Sequence, residues 1–106
     1  MTEPPSAMEL DITWDPAKAQ TNLTKHRVSF TLAASVLFDP LALTVLDAMH
    51  STQEERWFTL GQSRSGTLMA IAHTYLTTGP ATATVRLISA RAATRREREQ
   101  YQNEQR

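Results

Sequence analysis

Residues 56–90 read RWFTLGQSRSGTLMAIAHTYLTTGPATATVRLISA. Three β-prone runs stand out: Arg56 to Leu60, Leu68 to Tyr75 and Ala83 to Ala90. Between them lie Ser63-Arg64-Ser65-Gly66 and Thr77-Thr78-Gly79-Pro80, which have the composition of turns. Strands joined by turns this short run antiparallel, because a parallel return needs a crossover of about a dozen residues or more. An antiparallel meander therefore forms the centre of the fold. Upstream, Leu41 to Leu46 is another β-prone run, and Leu10-Asp11-Ile12-Thr13-Trp14 alternates apolar and polar, the period of a half-buried strand. Asp15-Pro16 announces a helix: the Asp15 carboxylate can accept from first-turn N–H groups, and Pro16 suits the first helical position. This helix runs to about His26. Ser29 caps a second, short helix whose Phe30, Ala33, Ala34 and Leu37 share one face, and Asp39-Pro40 ends it. From Arg91 the pattern turns helical, with Arg95 and Glu99 as an i, i+4 pair; Ala92, Ala93 and Tyr101 are the groups available to dock this terminal helix. The expected class is α+β: two N-terminal helices, an antiparallel β-sheet of four to five strands and a C-terminal helix. Residues 1–8, with Pro4, Pro5 and Ser6, are expected to form a disordered leader, and residues 9–106 a single domain.

Composition narrows the chemistry. The chain has 106 residues, 41% hydrophobic and 21% charged, a globular balance. It has no cysteine, which excludes disulfides, thiolate metal sites and thiol nucleophiles. No apolar run approaches the ~20 residues of a membrane helix, and residues 1–7 lack a signal peptide's basic and apolar regions. A soluble, cytoplasmic protein is the expectation. Net charge is zero but unevenly placed. Residues 1–55 carry three basic against eight acidic residues, a net −5; residues 56–106 carry eight arginines against three glutamates, a net +5. Guanidinium is planar, permanently charged and forked, which suits phosphate oxygens.

With only three glycines and no P-loop, dinucleotide or H-E-x-x-H motif, the chain offers no phosphate cradle, no expected cofactor and no expected metal. Its inventory favours chemistry from His, Arg and Lys. Metal-free RNA cleavage needs little more: the ribose 2′-OH attacks the adjacent phosphate, a base and an acid move protons, and cations stabilise the phosphorane. His73 suits proton transfer; alternatively it is a hydrogen-bonded histidine at the core rim, on the face of Met69, Ile71 and Tyr75. Arg86, read as sharing a side with Ile88, lines a pocket or pairs with Asp15 or Glu55. Arg56 is a phosphate ligand or a partner of Glu54 or Glu55. Lys25 and His26 are either site residues or cations placed to suit the helix dipole. Arg91, Arg95 and Arg96 bind phosphate or form part of a solvated helix face. Trp14 and Trp57 read as packing anchors, and His50 is assigned no role.

Taken together, Trp14-Asp15-Pro16-Ala17-Lys18-Ala19, Asn22, Lys25-His26, Val28-Ser29-Phe30, Phe38-Asp39-Pro40, Glu54-Glu55-Arg56, Arg86-Leu87-Ile88-Ser89-Ala90-Arg91 and Arg95-Arg96-Glu97-Arg98 resemble the BrnT-type toxins. The resemblance runs in order from Trp14 to Tyr101. It implies a RelE-like fold and a bacterial ribonuclease toxin of a type II toxin–antitoxin pair. It further implies a small DNA-binding antitoxin of the BrnA type and an operon repressed by the complex, which would meet operator DNA through the antitoxin. Lys25, His26, Arg56, His73, Arg86 and Arg91 fall on matching positions. Where the family usually has glycine after Lys-His, this chain has Arg27; if that position is left-handed, the side chain costs roughly 1 kcal/mol. Thr31 and Leu32 replace the family's acidic residues after Ser-Phe, removing a capping-box partner. The alternative to an endoribonuclease is a non-catalytic module that binds antitoxin or RNA.

Overall fold

The computed structural model describes residues 9–52 and 54–105. The leader expected over residues 1–8 lies outside them. Six strands form one sheet: β1 (Glu9–Trp14), β2 (Leu43–Leu46), β3 (Arg56–Gln62), β4 (Leu68–Thr74), β5 (Leu76–Gly79) and β6 (Thr82–Ala92). The order is β1-β6-β4-β3-β2, with β5 also on β6. The helices are α1 (Pro16–His26), α2 (Phe30–Ala34) and α3 (Arg95–Asn103), with a 3₁₀ turn over Ser35–Phe38 after α2. Among the described residues no helix is long and apolar enough to cross a membrane.

The meander is present: β2, β3, β4 and β6 pair antiparallel in succession. The expectation of an antiparallel sheet of four to five strands is corrected: six strands are present. The sheet is mixed, because β1 joins β6 in parallel, Glu9 opposite Thr82 through Trp14 opposite Leu87. Leu10, Ile12 and Trp14 thereby pack on the same core as Val85 and Leu87. The turn expected at residues 77–80 is displaced as well. Thr77 to Gly79 are strand, paired to β6, and the chain reverses at Pro80-Ala81. The last helix begins at Arg95 rather than Arg91, because Thr94 and Glu97 form a complete capping box there.

The sheet has a core on each face. On one side, Val28, Phe30, Ala33 and Val36 cover Met69, Ile71, Val85, Leu87 and Ala90, and the Trp14 and Phe30 rings meet edge-on at 5.9 Å. On the other, Tyr101 of α3 and Ala93 pack with Leu60, Ala70, Phe58 and Leu68. Ala92, expected to help dock α3, is exposed. Asp39 adds a polar anchor. Its carboxylate accepts from the Gln62 N–H (2.8 Å), the Leu41 N–H (2.9 Å) and the Tyr101 hydroxyl (2.7 Å). Burial works against this charge, but the three donors hold the Asp39 pKa below the ordinary carboxylate value. Burial, then the Asp39 contact, pushes Tyr101 up to about 12.

Asn22 joins α1 to the sheet. β1 ends opposite Leu87, so β6 continues past it without a strand on that side. There the buried Asn22 amide donates to the Ala90 carbonyl (2.9 Å) and accepts from the Ala90 N–H (3.0 Å), and it also donates to the Val28 carbonyl (3.0 Å). Helix α1 starts as read, with Asp15 accepting from the Ala17 N–H at 2.9 Å and Pro16 in the first turn. It ends with Arg27 in the left-handed region, φ 59°, its N–H bonded to Leu23.

Two stability outcomes follow. Asn22→Ala strands the polar backbone groups of Ala90 and the Val28 carbonyl in a buried setting and should cost about 2–4 kcal/mol, read as a lower urea midpoint with an unchanged m-value. Arg27→Gly relieves the left-handed strain and should stabilise by about 1 kcal/mol, raising the thermal midpoint by several degrees.

Candidate RNA-binding and cleavage face

A bulge decides which side chains meet. Ala72 pairs with Ser89 but His73 pairs with Leu87, so Ile88 is an extra residue on β6. Arg86 and Arg91 are five positions apart, and an uninterrupted strand would put them on opposite faces. The extra residue resets the alternation, and both arginines stand on the face away from α1 and α2. The expectation that Arg86 shares a side with Ile88 is corrected for this reason. Arg56, opposite Thr74 on the neighbouring strand, lies on the same face. The Thr74 hydroxyl accepts from the Arg86 N–H at 3.0 Å, so Arg56, Thr74 and Arg86 form a row across three strands.

The three arginines differ in what holds them. Arg91 makes two bonds to the Glu97 carboxylate (2.7 and 3.0 Å) and lies 5.5 Å from the Phe58 ring centre. Its hydrogen bonds to Glu97 raise the Arg91 pKa, and the same contact pulls Glu97 down to about 2. Arg91 thus clamps the start of α3 to the sheet. Arg86 is paired with Glu54, and each side chain is 43% exposed. Beside this pair a cleft of about 370 Å³ opens, lined by Thr13, Glu54, Glu55, Thr74, Tyr75, Leu76, Thr84 and Arg86. Arg56 has no ion pair among the described residues. Arg95 is solvated, 3.5 Å from Glu99, and Arg96 is exposed.

His73 does not join this face. It is 2% exposed on the opposite side, among the core residues. Its Nδ1–H donates to the Thr74 carbonyl (2.9 Å). Its Nε2 accepts from the Thr59 hydroxyl (2.7 Å), which in turn contacts Thr44 (2.9 Å). The carbonyl requires a donor, which fixes the proton on Nδ1. Burial then lowers the pKa, outweighing the opposing Thr74 bond. The strand's period-2 pattern puts His73 beside Met69 and Ile71 as expected, but Tyr75, expected on that face, lies past the end of β4 and lines the cleft with Arg86; His73 itself is a satisfied core residue away from the arginines. Lys25 and His26 also lie elsewhere, with Lys18 in a groove between α1 and the edge of β6.

Glu54 is the residue that sequence reading missed for this face. The sequence offers it only as a partner for Arg56, and its loop carries no periodic signal. The structure puts it on Arg86 instead, where it is the titratable carboxylate in direct contact with the arginine row.

Residues 14–97 match the family model described as the ribonuclease toxin BrnT of type II toxin–antitoxin systems. The 1.1 Å crystal structure of the Brucella abortus ribonuclease toxin BrnT is similar in fold: TM-score 0.57, 24% sequence identity, covering 81% of this chain and 99% of that one. No match was found among curated proteins.

The His73 geometry sets a pH dependence. Its folded pKa lies below the ordinary 6.5, so as pH falls through about 6.5 the unfolded chain takes up the proton first and stability is lost toward acid. Nitrogen-15 NMR of the ring should show a mainly neutral, Nδ1-protonated imidazole at pH 6.5, where a free imidazole is half charged, and thermal midpoints should fall as pH drops below about 6.5. A folded-state ring that is mainly charged at pH 6.5 would contradict the hydrogen-bond assignment.

Proposed function

Since the chain belongs to the BrnT family of type II ribonuclease toxins, we propose that it is a metal-independent endoribonuclease whose site is the Arg56–Thr74–Arg86 row and its adjoining cleft. The observation that carries this reading is the Arg86–Glu54 pair beside an open cleft, with Arg56 on the same sheet face opposite Thr74. Arg86 and Arg56 hold the scissile phosphate and stabilise the charge that grows on the phosphorane. Glu54, displaced from Arg86 by the incoming phosphate, takes the 2′-OH proton. The 2′ oxygen bonds to phosphorus, the bond from phosphorus to the 5′ oxygen breaks, that oxygen takes a proton from solvent water, Glu54 returns its proton to solvent, and the products are a 2′,3′-cyclic phosphate and a 5′-OH. Arg91 acts indirectly, by fixing α3. The nucleophile belongs to the substrate, so the protein's task is to bind, orient and stabilise charge.

The family's partner is an antitoxin. For this chain we propose a small DNA-binding antitoxin of the BrnA type, operator DNA contacted through it, repression of the shared operon by the complex, and action in the cytoplasm. The fold is read as RelE-like, with α1 and α2 on one sheet face and α3 on the other.

Purified protein should cut single-stranded RNA in the presence of EDTA and leave cyclic phosphate ends, and a 2′-deoxy substitution at the cut position should abolish cleavage there. Arg86→Ala should lower kcat/KM by roughly 10²–10³ and Glu54→Gln by about 10²–10⁴, with both variants folded by circular dichroism. Full activity in both variants would move the site elsewhere. Loss of cleavage on chelation would remove the metal-free mechanism. Binding without cleavage would make the chain a non-catalytic module.

A further inference from the structure

A second basic zone lies apart from the arginine row. Between α1 and the uncovered edge of β6 runs a groove of about 340 Å³ whose lining includes Lys18, Lys25, His26, Ile88 and Ser89. Lys18 and Lys25 are seven positions apart on α1, two helical turns, which sets their backbone positions about 10 Å apart along one face. None of Lys18, Lys25 and His26 has an ion pair among the described residues. The Ser89 hydroxyl has no hydrogen-bond partner among them either. The chain as a whole has no net charge, so an unneutralised run of cations along a groove is a local feature that calls for an anion.

Two observations favour a nucleic-acid backbone over a peptide. First, the polar backbone groups of Ala90 on this edge are both taken by Asn22, so a peptide cannot add there as a strand. Second, Ser89 borders both zones. It lines the groove and is also the β6 residue opposite Ala72, between Arg86 and Arg91 along the strand. An RNA strand that ran from Arg86 past Ser89 and around the open edge of β6 would reach the groove that holds Lys18, Lys25 and His26.

We propose that this groove is a backbone subsite for single-stranded RNA, taking phosphates that flank the cleavage point. The inference rests on the nuclease reading above and extends it. Lys25 and His26, which the sequence placed among the catalytic candidates, are here binding residues remote from the reacting phosphate. Such a groove tracks the phosphates without reading bases.

The test compares binding of 4- and 12-nucleotide single strands, every 2′ oxygen methylated so that no cleavage competes, to the wild type, to Lys18→Gln/Lys25→Gln and to Arg64→Glu. Arg64 sits on the exposed β3–β4 turn, and its substitution changes net charge by the same two units. The wild type should bind the 12-mer more tightly than the 4-mer. The lysine double variant should lose most of that gain, about tenfold or more, and its salt slope on the 12-mer should shrink by about 1.4, the value for two single-strand phosphate contacts. Arg64→Glu should keep both. An unchanged length gain and slope in the double variant would overturn the subsite, and so would an equal loss in Arg64→Glu. Unaltered RNA binding with loss of antitoxin binding would reassign the groove to an acidic protein partner. The nuclease reading fails separately, through wild-type protein that does not cut RNA.

Discussion

The amide of Asn22 holds α1 against a strand that has run out of partners. β6 is eleven residues long, and β1 covers its outer edge only as far as Leu87. At Ala90, which is buried beneath α1, the strand would present bare N–H and C=O groups where water cannot reach them. Asn22 supplies one acceptor and two donors at that depth, and all three are used on Ala90 and Val28. A buried amide is costly when partly satisfied and rigidifying when complete. Here it takes the role of a seventh strand one residue long. It fixes the height of α1 on the sheet, closes the turn into α2 through Val28, and leaves the neighbouring edge of β6 open.

The bulge at Ile88 lies in the same few residues and has the larger chemical consequence. It sets which side chains of β6 face the cleft, because one inserted residue inverts the alternation on one side of it. Arg86 and Arg91 then share a face while Leu87 and Ala90 both stay in the core. The two arginines are not equivalent. Arg91 has a bidentate carboxylate, an aromatic face and partial burial, which together make a structural clamp. The Arg86–Glu54 pair is open to solvent on both sides, and such a pair is worth about 1 kcal/mol or less. A phosphate oxygen can displace it without disturbing the fold.

The meander, the caps at Asp15 and Ser29 and the α+β class were readable because each rests on local chemistry: short turns force antiparallel strands, and a side-chain oxygen before a proline or an apolar helix face marks a start. The parallel pairing of β1 was not readable. It joins residues 9–14 to residues 82–87, and nothing in either segment declares the partner. The cleft was readable only in part. Period 2 placed His73 among Met69 and Ile71, and that face proved to be the main core. Period 2 failed for Arg86, because a bulge leaves no mark in a run such as Arg86-Leu87-Ile88-Ser89. Glu54 was hidden for a different reason: its pairing depends on the path of a loop, and loops carry no period.

The charge split along the chain also changes meaning once it is folded. A −5 half and a +5 half suggest one acidic face and one basic face, but the fold interleaves them. Glu54 from the acidic half sits on Arg86 from the basic half, while Lys18 and Lys25 from the acidic half have no ion pair on α1 among the described residues. Two basic zones result, on opposite sides of the sheet, meeting at Ser89 where β6 has lost its neighbour. Under the proposed mechanism this division has a physical use. The cleft must hold a carboxylate to take the 2′ proton, and that carboxylate weakens its attraction for the phosphate. Cations placed beyond its reach, around the edge of the sheet, can hold the rest of the strand without competing for the same proton acceptor.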